Sequence, residues 1–267
     1  MVKPPLVSII LPTYNGKVKW ISEAIQSVLA QSYLNWELII IDDASKNSIE
    51  NDILKFVKND KRIVYYKNKE NLQLTNTLNK GIRLSKWRYI ARLDDDDIRC
   101  DSQKLEKQIK FMESNKNIWL CGTCVININE IWDEISYTNV PEHDNEIRKN
   151  LMRFNQFAHA SVVFRKDVIK EVWNYNPLYN GAEDYEFWLR IWSKYQLANL
   201  SDYSLKYRYN TQWISVKKSR KQWLYGIKIA YKYRNYYPWF WKYIIPRCLI
   251  VILPRYLVTL IIKWIKK

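Results

Sequence analysis

Short apolar runs rich in β-branched residues alternate with segments of helical periodicity over the first part of the chain, and no other feature constrains the fold as tightly. Leu6-Val-Ser-Ile-Ile-Leu11 reads as a buried strand ended by Pro12, and Leu38-Ile-Ile-Ile41 as a second. Between them Ile21, Ala24, Ile25, Val28 and Leu29 fall at helical spacing. A polar helix near 50–58, a strand at Ile63–Tyr66, a helix near 74–85 and a strand at Tyr89–Leu93 continue the alternation. Helices are expected over 101–114 and Glu183–Tyr195, with further strands at 118–126 and 161–164. Strands joined by crossover helices imply an α/β fold with a mostly parallel, Rossmann-like sheet flanked by helices.

In such open sheets a ligand sits outside the carboxyl ends of the strands. Three polar motifs stand at those ends: Pro12-Thr13-Tyr14-Asn15, Asp42-Asp43 and Asp94-Asp95-Asp96-Asp97. Taken singly, the first is a turn, the second a helix cap ahead of Ser45, Asn47 and Ser48, and the third a solvated acidic loop. Together they face one crevice. Adjacent carboxylates oppose one another's ionisation, and a hard divalent cation with oxygen ligands relieves that cost. Mg²⁺ typically takes one or two carboxylates together with phosphate oxygens, which suits a nucleotide diphosphate.

Val7-Ser-Ile-Ile-Leu-Pro-Thr-Tyr-Asn15, Ile41-Asp-Asp-Ala-Ser45, Leu93-Asp-Asp-Asp-Asp-Ile98 and Ala182-Glu-Asp-Tyr-Glu-Phe-Trp-Leu-Arg190 resemble the family 2 glycosyltransferases, with smaller matches at Glu70-Asn-Leu72, Leu78-Asn-Lys-Gly-Ile82, Leu105-Glu-Lys-Gln108 and His159-Ala-Ser-Val-Val-Phe-Arg165. The resemblance covers about residues 5–210 in unbroken order. It implies the GT-A fold, an inverting mechanism and a nucleotide-sugar donor, a UDP-sugar in this reading. It places Pro12, Thr13, Tyr14, Asn15, Asp43 and Asn79 around the nucleotide, with Asp94 and Asp95 on the ribose side. Asp96, with Asp94 beside it, would hold Mn²⁺ or Mg²⁺, and Asp184 would be the catalytic base. Carboxylates also suit the start of a helix, and both roles can hold at once for Asp184. His159 reads as a buried structural histidine near the site. Where the family often has glycine after Asn-Leu, this chain has Gln73.

The net charge of +16 is not spread evenly: from Tyr203 to Lys267 there are 15 Lys or Arg and no Asp or Glu. Five of the 13 Trp and ten of the 20 Tyr lie in the same stretch. The expected division is therefore a glycosyltransferase domain over 1–210 (a nucleotide-sugar half to about 100, then an acceptor half) and a basic helical region over 211–267. Within Ile244–Ile262 the longest uncharged runs are seven residues, against the roughly 20 a spanning helix needs. Helices lying in the interface of an anionic membrane fit better, with Trp and Tyr at headgroup depth. Long aliphatic runs argue against nucleic acid as the partner, while a surface for oligomerisation stays open. The apolar run at 6–11 lacks the features of a secretion signal, and Cys100, Cys121, Cys124 and Cys248 read as reduced cysteines. The resulting expectation is a protein peripherally attached to the cytoplasmic face of the membrane, adding a hexose or N-acetylhexosamine to a lipid-linked or membrane-anchored glycan. A polyprenyl-phosphate sugar transferase using a UDP- or GDP-sugar, or a non-catalytic nucleotide-sugar-binding adaptor, are the alternatives.

Overall fold

The structure is a computed structural model and describes residues 4–86, 88–152, 154–209, 219–236 and 240–252. Every residue of β1 (Val7–Thr13) is buried, and its alternate side chains enter different cores. Val7, Ile9 and Leu11 join one apolar cluster and Ile10 the other, so a strand covered on both faces needs a continuous apolar run. The chain then runs through α1 (Val18–Leu29), β2 (Trp36–Asp42), α2 (Glu50–Asn59), β3 (Ile63–Lys67), α3 (Gln73–Leu84) and β4 (Tyr89–Arg92). These four strands are all parallel, in the order β3-β2-β1-β4. The chain winds outward from β1 to β3 and returns to β4 on the other side of β1. The carboxyl ends of β1 and β4 therefore form the switch point where such sheets bind ligands.

The second half contains β5 (Ile98–Arg99), α4 (Lys104–Ser114), β6 (Ile118–Ile128), β7 (Glu134–Thr138), α5 (Asp144–Leu151), β8 (Val163–Arg165), α6 (Val168–Val172), α7 (Glu183–Trp192) and β9 (Gln196–Arg208). It extends the sheet as β4-β8-β6-β9-β5, with β7 as a hairpin partner of β6. Here β8 is antiparallel to both β4 and β6, and β5 to β9, while β9 runs parallel to β6. The result is a mixed α/β sheet, parallel in its first half, with helices on both faces. Residues of α1, α2 and α4 bury one face of the sheet; α3, α5 and α7 bury the other.

Pro12 does not end its strand. β1 continues to Thr13 opposite Asp42, three residues beyond its last rung with β4 at Ile10 and Arg92, and proline is tolerated where no ladder donor is required. α7 stops at Trp192, three residues short of the expected Tyr195. Cys121 and Cys124 sit three apart on β6, a spacing that puts side chains on opposite faces of a strand, and all four cysteines are free.

The basic region contributes α8 (Ser219–Lys232) and α9 (Phe240–Ile252). Its expected start at 211, and residues 253–267, lie outside the described residues. Ile229, Ala230, Tyr233, Phe240 and Ile244 are buried in the same cluster as the α7 side chains Phe187, Trp188 and Ile191. Among the described residues no helix is long and apolar enough to cross a membrane.

Candidate active site

The ends of β1, β2 and β4 meet as the sequence motifs anticipate. Thr13 Oγ1 donates to Asp95 Oδ2 at 2.5 Å, joining β1 to the acidic loop, and the Asp43 amide donates to the Thr13 carbonyl at 2.8 Å, joining β2 to β1. The two carboxylates of the β2 end have separate roles. Asp42 accepts from the Ser45 amide at 2.8 Å and from the Tyr65 hydroxyl at 2.9 Å, so it is the turn-forming residue. Asp43 Oδ1 accepts from Asn68 Nδ2 at 2.7 Å and from the Leu72 amide at 2.9 Å, which fixes its orientation at the crevice wall. Tyr14 stands half exposed on the loop beyond Thr13. Asn15, in the left-handed region at φ 54°, accepts from the Lys46 amide at 2.8 Å. Its side chain thus ties the two loops together. Asn79, buried on α3, donates to the Tyr175 carbonyl at 2.8 Å while its own Oδ1 is unpartnered.

The four aspartates after β4 divide their work. Arg92, the last residue of β4 and fully buried, donates from Nη2 to Asp94 Oδ1 at 2.5 Å and from Nη1 to the Leu93 carbonyl at 2.9 Å. Burial alone would lower the Arg92 pKa, but the charge and hydrogen bond of Asp94 together with Tyr175 and Glu183 outweigh it and the net shift is upward. Asp95 is pushed up to about 8, first by desolvation and then by the Asp96 charge. Asp97 is wholly buried, accepts from the Arg208 amide at 3.0 Å, and is held well above the carboxylate range by desolvation. Arg208 also donates from Nε to the Asp96 carbonyl at 2.9 Å and from Nη2 to Glu23 at 2.9 Å. Its guanidinium lies 4.9 Å from the Trp20 ring and 4.9 Å from the Trp132 ring. The loop is clamped from both sides.

Asp184 stands in the first turn of α7. Its Oδ2 accepts from Asn155 Nδ2 at 2.7 Å and its Oδ1 from the Tyr185 amide at 2.7 Å. Desolvation raises it to about 6 against those two bonds, and the Asp94 charge adds to the rise. Contacts link the two: Arg92 binds Asp94 and reaches His159, whose ring packs against Trp188 one turn along α7 from Asp184. Glu183 beside it is buried, accepts from the Gly181 amide at 2.5 Å, and is pushed up to about 7 by desolvation and then by Asp184. His159, expected to be a buried structural histidine, is partly buried and bridges two groups: its Nε2 lies 3.3 Å from Arg92 Nε and 2.9 Å from the Tyr175 hydroxyl. Burial, then the Arg92 charge, hold it well below the usual imidazole range, so the ring is neutral and accepts at Nε2.

Among the described residues no three His, Cys, Asp or Glu side chains form a ready-made metal cage. Asp94 is engaged by Arg92 and Asp95 by Thr13, so the donor set is partial. That suits a cation completing its shell with diphosphate oxygens, as Mg²⁺ commonly does. Sequence reading missed Arg92, Asn155 and Gly16. For Arg92 the signal was a lone arginine within an apolar strand directly before the acidic run. Asn155 and Gly16 gave none, because their partners are 29 residues away in the case of Asp184 and across the sheet in the case of Asp95.

A match to Glycosyl transferase family 2 spans residues 8–173. The chain belongs to that family. Relatives similar to most of the chain include a glycosyltransferase of Methanocaldococcus jannaschii, 30% identical over 97% of this chain and 93% of its own length. The O-antigen biosynthesis glycosyltransferase WbnJ of Escherichia coli is 34% identical over 80% of this chain and 83% of its own. The amylovoran biosynthesis glycosyltransferase AmsE of Erwinia amylovora is 31% identical over 85% and 87%. Among solved structures, S. aureus TarS in complex with UDP-GlcNAc superposes with a TM-score of 0.66 at 16% identity, over 84% of this chain and 64% of that one. The mannosyltransferase PcManGT of Pyrobaculum calidifontis, in complex with GDP-Man and Mn²⁺, gives 0.67 at 14% identity, over 99% and 74%. The two structures share the fold of this family 2 glycosyltransferase.

Proposed function

We propose that this glycosyltransferase is metal-dependent and inverting, moving a hexose or N-acetylhexosamine from a UDP-sugar to a hydroxyl of a lipid-linked or membrane-anchored glycan in surface-polysaccharide assembly. The observation that supports the reading is the approach of α7, which carries Asp184 in its first turn, to the Asp94–Asp96 loop: Arg92 binds Asp94 and reaches His159, and the His159 ring packs against Trp188 of α7. The relatives named for O-antigen and amylovoran biosynthesis support the polysaccharide setting.

In this reading Pro12 and Tyr14 flank the nucleoside, Asp43 accepts from the base, and Asp95, held by Thr13, faces the ribose. Asn15 and Asn79 hold the walls of the nucleotide pocket through the Lys46 amide and the Tyr175 carbonyl. Mn²⁺ or Mg²⁺ held by Asp96, with Asp94 beside it, would offset the charge on the departing diphosphate. Asp184 takes the proton of the acceptor hydroxyl as that oxygen attacks the anomeric carbon from the face opposite the diphosphate, a single displacement that inverts configuration. The Asn155 amide bond to Oδ2 sets the rotamer of Asp184 for that transfer. The cationic C-terminal region favours the cytoplasmic leaflet as the place of work.

The test is release of UDP from a panel of UDP-sugars with Mn²⁺ and a glycolipid acceptor. Turnover is expected with at least one donor, abolished by EDTA, and Asp96→Ala should lose metal-dependent UDP binding. Equal UDP affinity in EDTA and in Mn²⁺ would remove the metal assignment, and no turnover with any donor would sink the reading.

A further inference from the structure

α8 and α9 have two unlike sides. The inner side is bolted to α7: the Tyr233 hydroxyl donates to Glu186 Oε1 at 3.0 Å, the Arg247 guanidinium lies 5.1 Å from the Tyr185 ring, and Gln222 Nε2 donates to the Gly181 carbonyl at 2.7 Å. Arg247 also bridges the pair, donating to the Gly226 carbonyl at 3.0 Å. The outer side carries a groove of about 540 Å³ walled by Ile227, Tyr231, Phe240, Trp241 and Ile245, with Lys228 as its cation. Trp241 is 70% exposed, Ile245 58% and Tyr231 55%. Lys221, Lys228, Lys232 and Lys242 are exposed on the same two helices, and no carboxylate occurs anywhere from 203 to 267.

We propose that this groove and its rim are the face by which the enzyme docks on an anionic lipid bilayer. Trp241, Ile245 and Tyr231 enter the boundary between headgroups and acyl chains, an acyl chain fills the groove, and the lysines meet lipid phosphates. The chemistry selects this occupant over the others. Single-stranded nucleic acid needs aromatic faces set along a cationic track, whereas here the rings of Tyr231, Phe240 and Trp241 wall an apolar groove together with Ile227, Ile244 and Ile245, and Lys228 is its lining cation. A second copy in an isologous contact would bring the same cations face to face with no carboxylate to oppose them. Interfacial docking uses both halves of the surface at once: apolar area inserts while cations meet anionic headgroups. The inference rests on the proposal of a membrane-anchored acceptor and adds a geometric consequence. The hairpin that lies on the bilayer also grips α7 and the Gly181 turn ahead of it, so Asp184 is held at a set height above the lipid surface.

The experiment is co-sedimentation of the full chain with vesicles of zwitterionic phospholipid, with and without an anionic phospholipid, for the wild type, Trp241→Glu/Ile245→Glu and Lys228→Glu. The wild type should bind the anionic vesicles and lose binding as salt rises. The double variant should lose roughly tenfold or more in partitioning and Lys228→Glu a smaller factor, because apolar insertion and headgroup attraction are separate contributions. Transfer to a short lipid-free acceptor should be unchanged in both variants, and transfer to an acceptor embedded in vesicles should fall with binding. All three substituted positions are exposed, and an unchanged thermal midpoint verifies folding; Trp241→Ser replaces the double variant if that midpoint drops. Wild-type binding by every variant overturns the proposal. So does a variant that turns a dimer into a monomer by light scattering while keeping its vesicle binding. Loss of vesicle binding without activity in any assay leaves the docking face standing and counts only against the transfer reaction.

Discussion

A carboxylate acting as a base must be ionised at working pH and still hold a proton once it has taken one, and Asp184 is tuned between these demands. Desolvation raises it to about 6, the Tyr185 amide and Asn155 pull it back, and the Asp94 charge adds to the rise. Its neighbour Glu183 is raised to about 7 by the same desolvation and by Asp184, so the two protons leave as a coupled pair. The reactive form is the deprotonated one, which is lost as pH falls through the raised pKa. The kcat/KM profile should therefore show an acid limb near pH 6, well above the range of an ordinary aspartate; a flat profile down to pH 5 would contradict it. Asp184→Asn keeps the shape and removes the base. Turnover should fall by roughly 10²–10⁴, while UDP affinity by calorimetry stays within about twofold of wild type because the donor contacts lie on the other wall.

Between elements, the site depends on how closely two loops approach. A Cβ on Gly16 would lie 2.3 Å from Asp95 Oδ2, 2.8 Å from Thr13 Oγ1 and 2.9 Å from Ile21 Cδ1, so only glycine lets the β1–α1 turn pass against the acidic loop. Gly16→Ala should part Thr13 from Asp95 and lower UDP affinity in Mn²⁺ by about tenfold, some 1.4 kcal/mol. Gly81 is the contrast. There a Cβ would lie 2.6 Å from Ile10 Cγ2, so Gly81→Ala should cost roughly 1–3 kcal/mol of stability in urea unfolding through overpacking and leave UDP affinity intact. Gln73 fits the same logic: at φ 66° it takes a left-handed conformation that glycine adopts without cost. The parallel half of the sheet and its three polar strand ends were legible because strands buried on both faces must be written as apolar runs. β7 was not, since all five of its residues are exposed and no face carries a hydrophobic signal. α5 buries only Ile147 and Leu151, too few for a periodic pattern. The acidic run announced a site, but its division among Arg92, Thr13 and Arg208 follows from contacts across the sheet that no local pattern encodes.

At the scale of the whole molecule, the uneven charge suggested a nearly neutral body with a cationic appendage, yet the described part of that appendage shares the body's core. Glu186 on α7 is wholly buried and is held by Arg190 at 2.8 Å, the Tyr233 hydroxyl at 3.0 Å and Lys232 at 3.5 Å. Lys232 is the last residue of α8 and Tyr233 follows it directly, so two of these three partners come from the basic region. Burying a large apolar side chain contributes about 1.5–3 kcal/mol, and Ile229, Phe240 and Ile244 are all buried on the α7 side. Their loss would approach the ~5–15 kcal/mol that separates folded from unfolded domains. A chain cut after residue 210 should therefore not behave as a free-standing catalytic body. Its thermal midpoint should fall by ten degrees or more, since about 1 kcal/mol moves a chain of this size by roughly 2–4 °C, and it should bind a hydrophobic dye through the uncovered face of α7. Full activity and an unshifted midpoint in the shorter chain would show that α8 and α9 rest on the body without supporting it, and that the height of Asp184 above a membrane is set by something else.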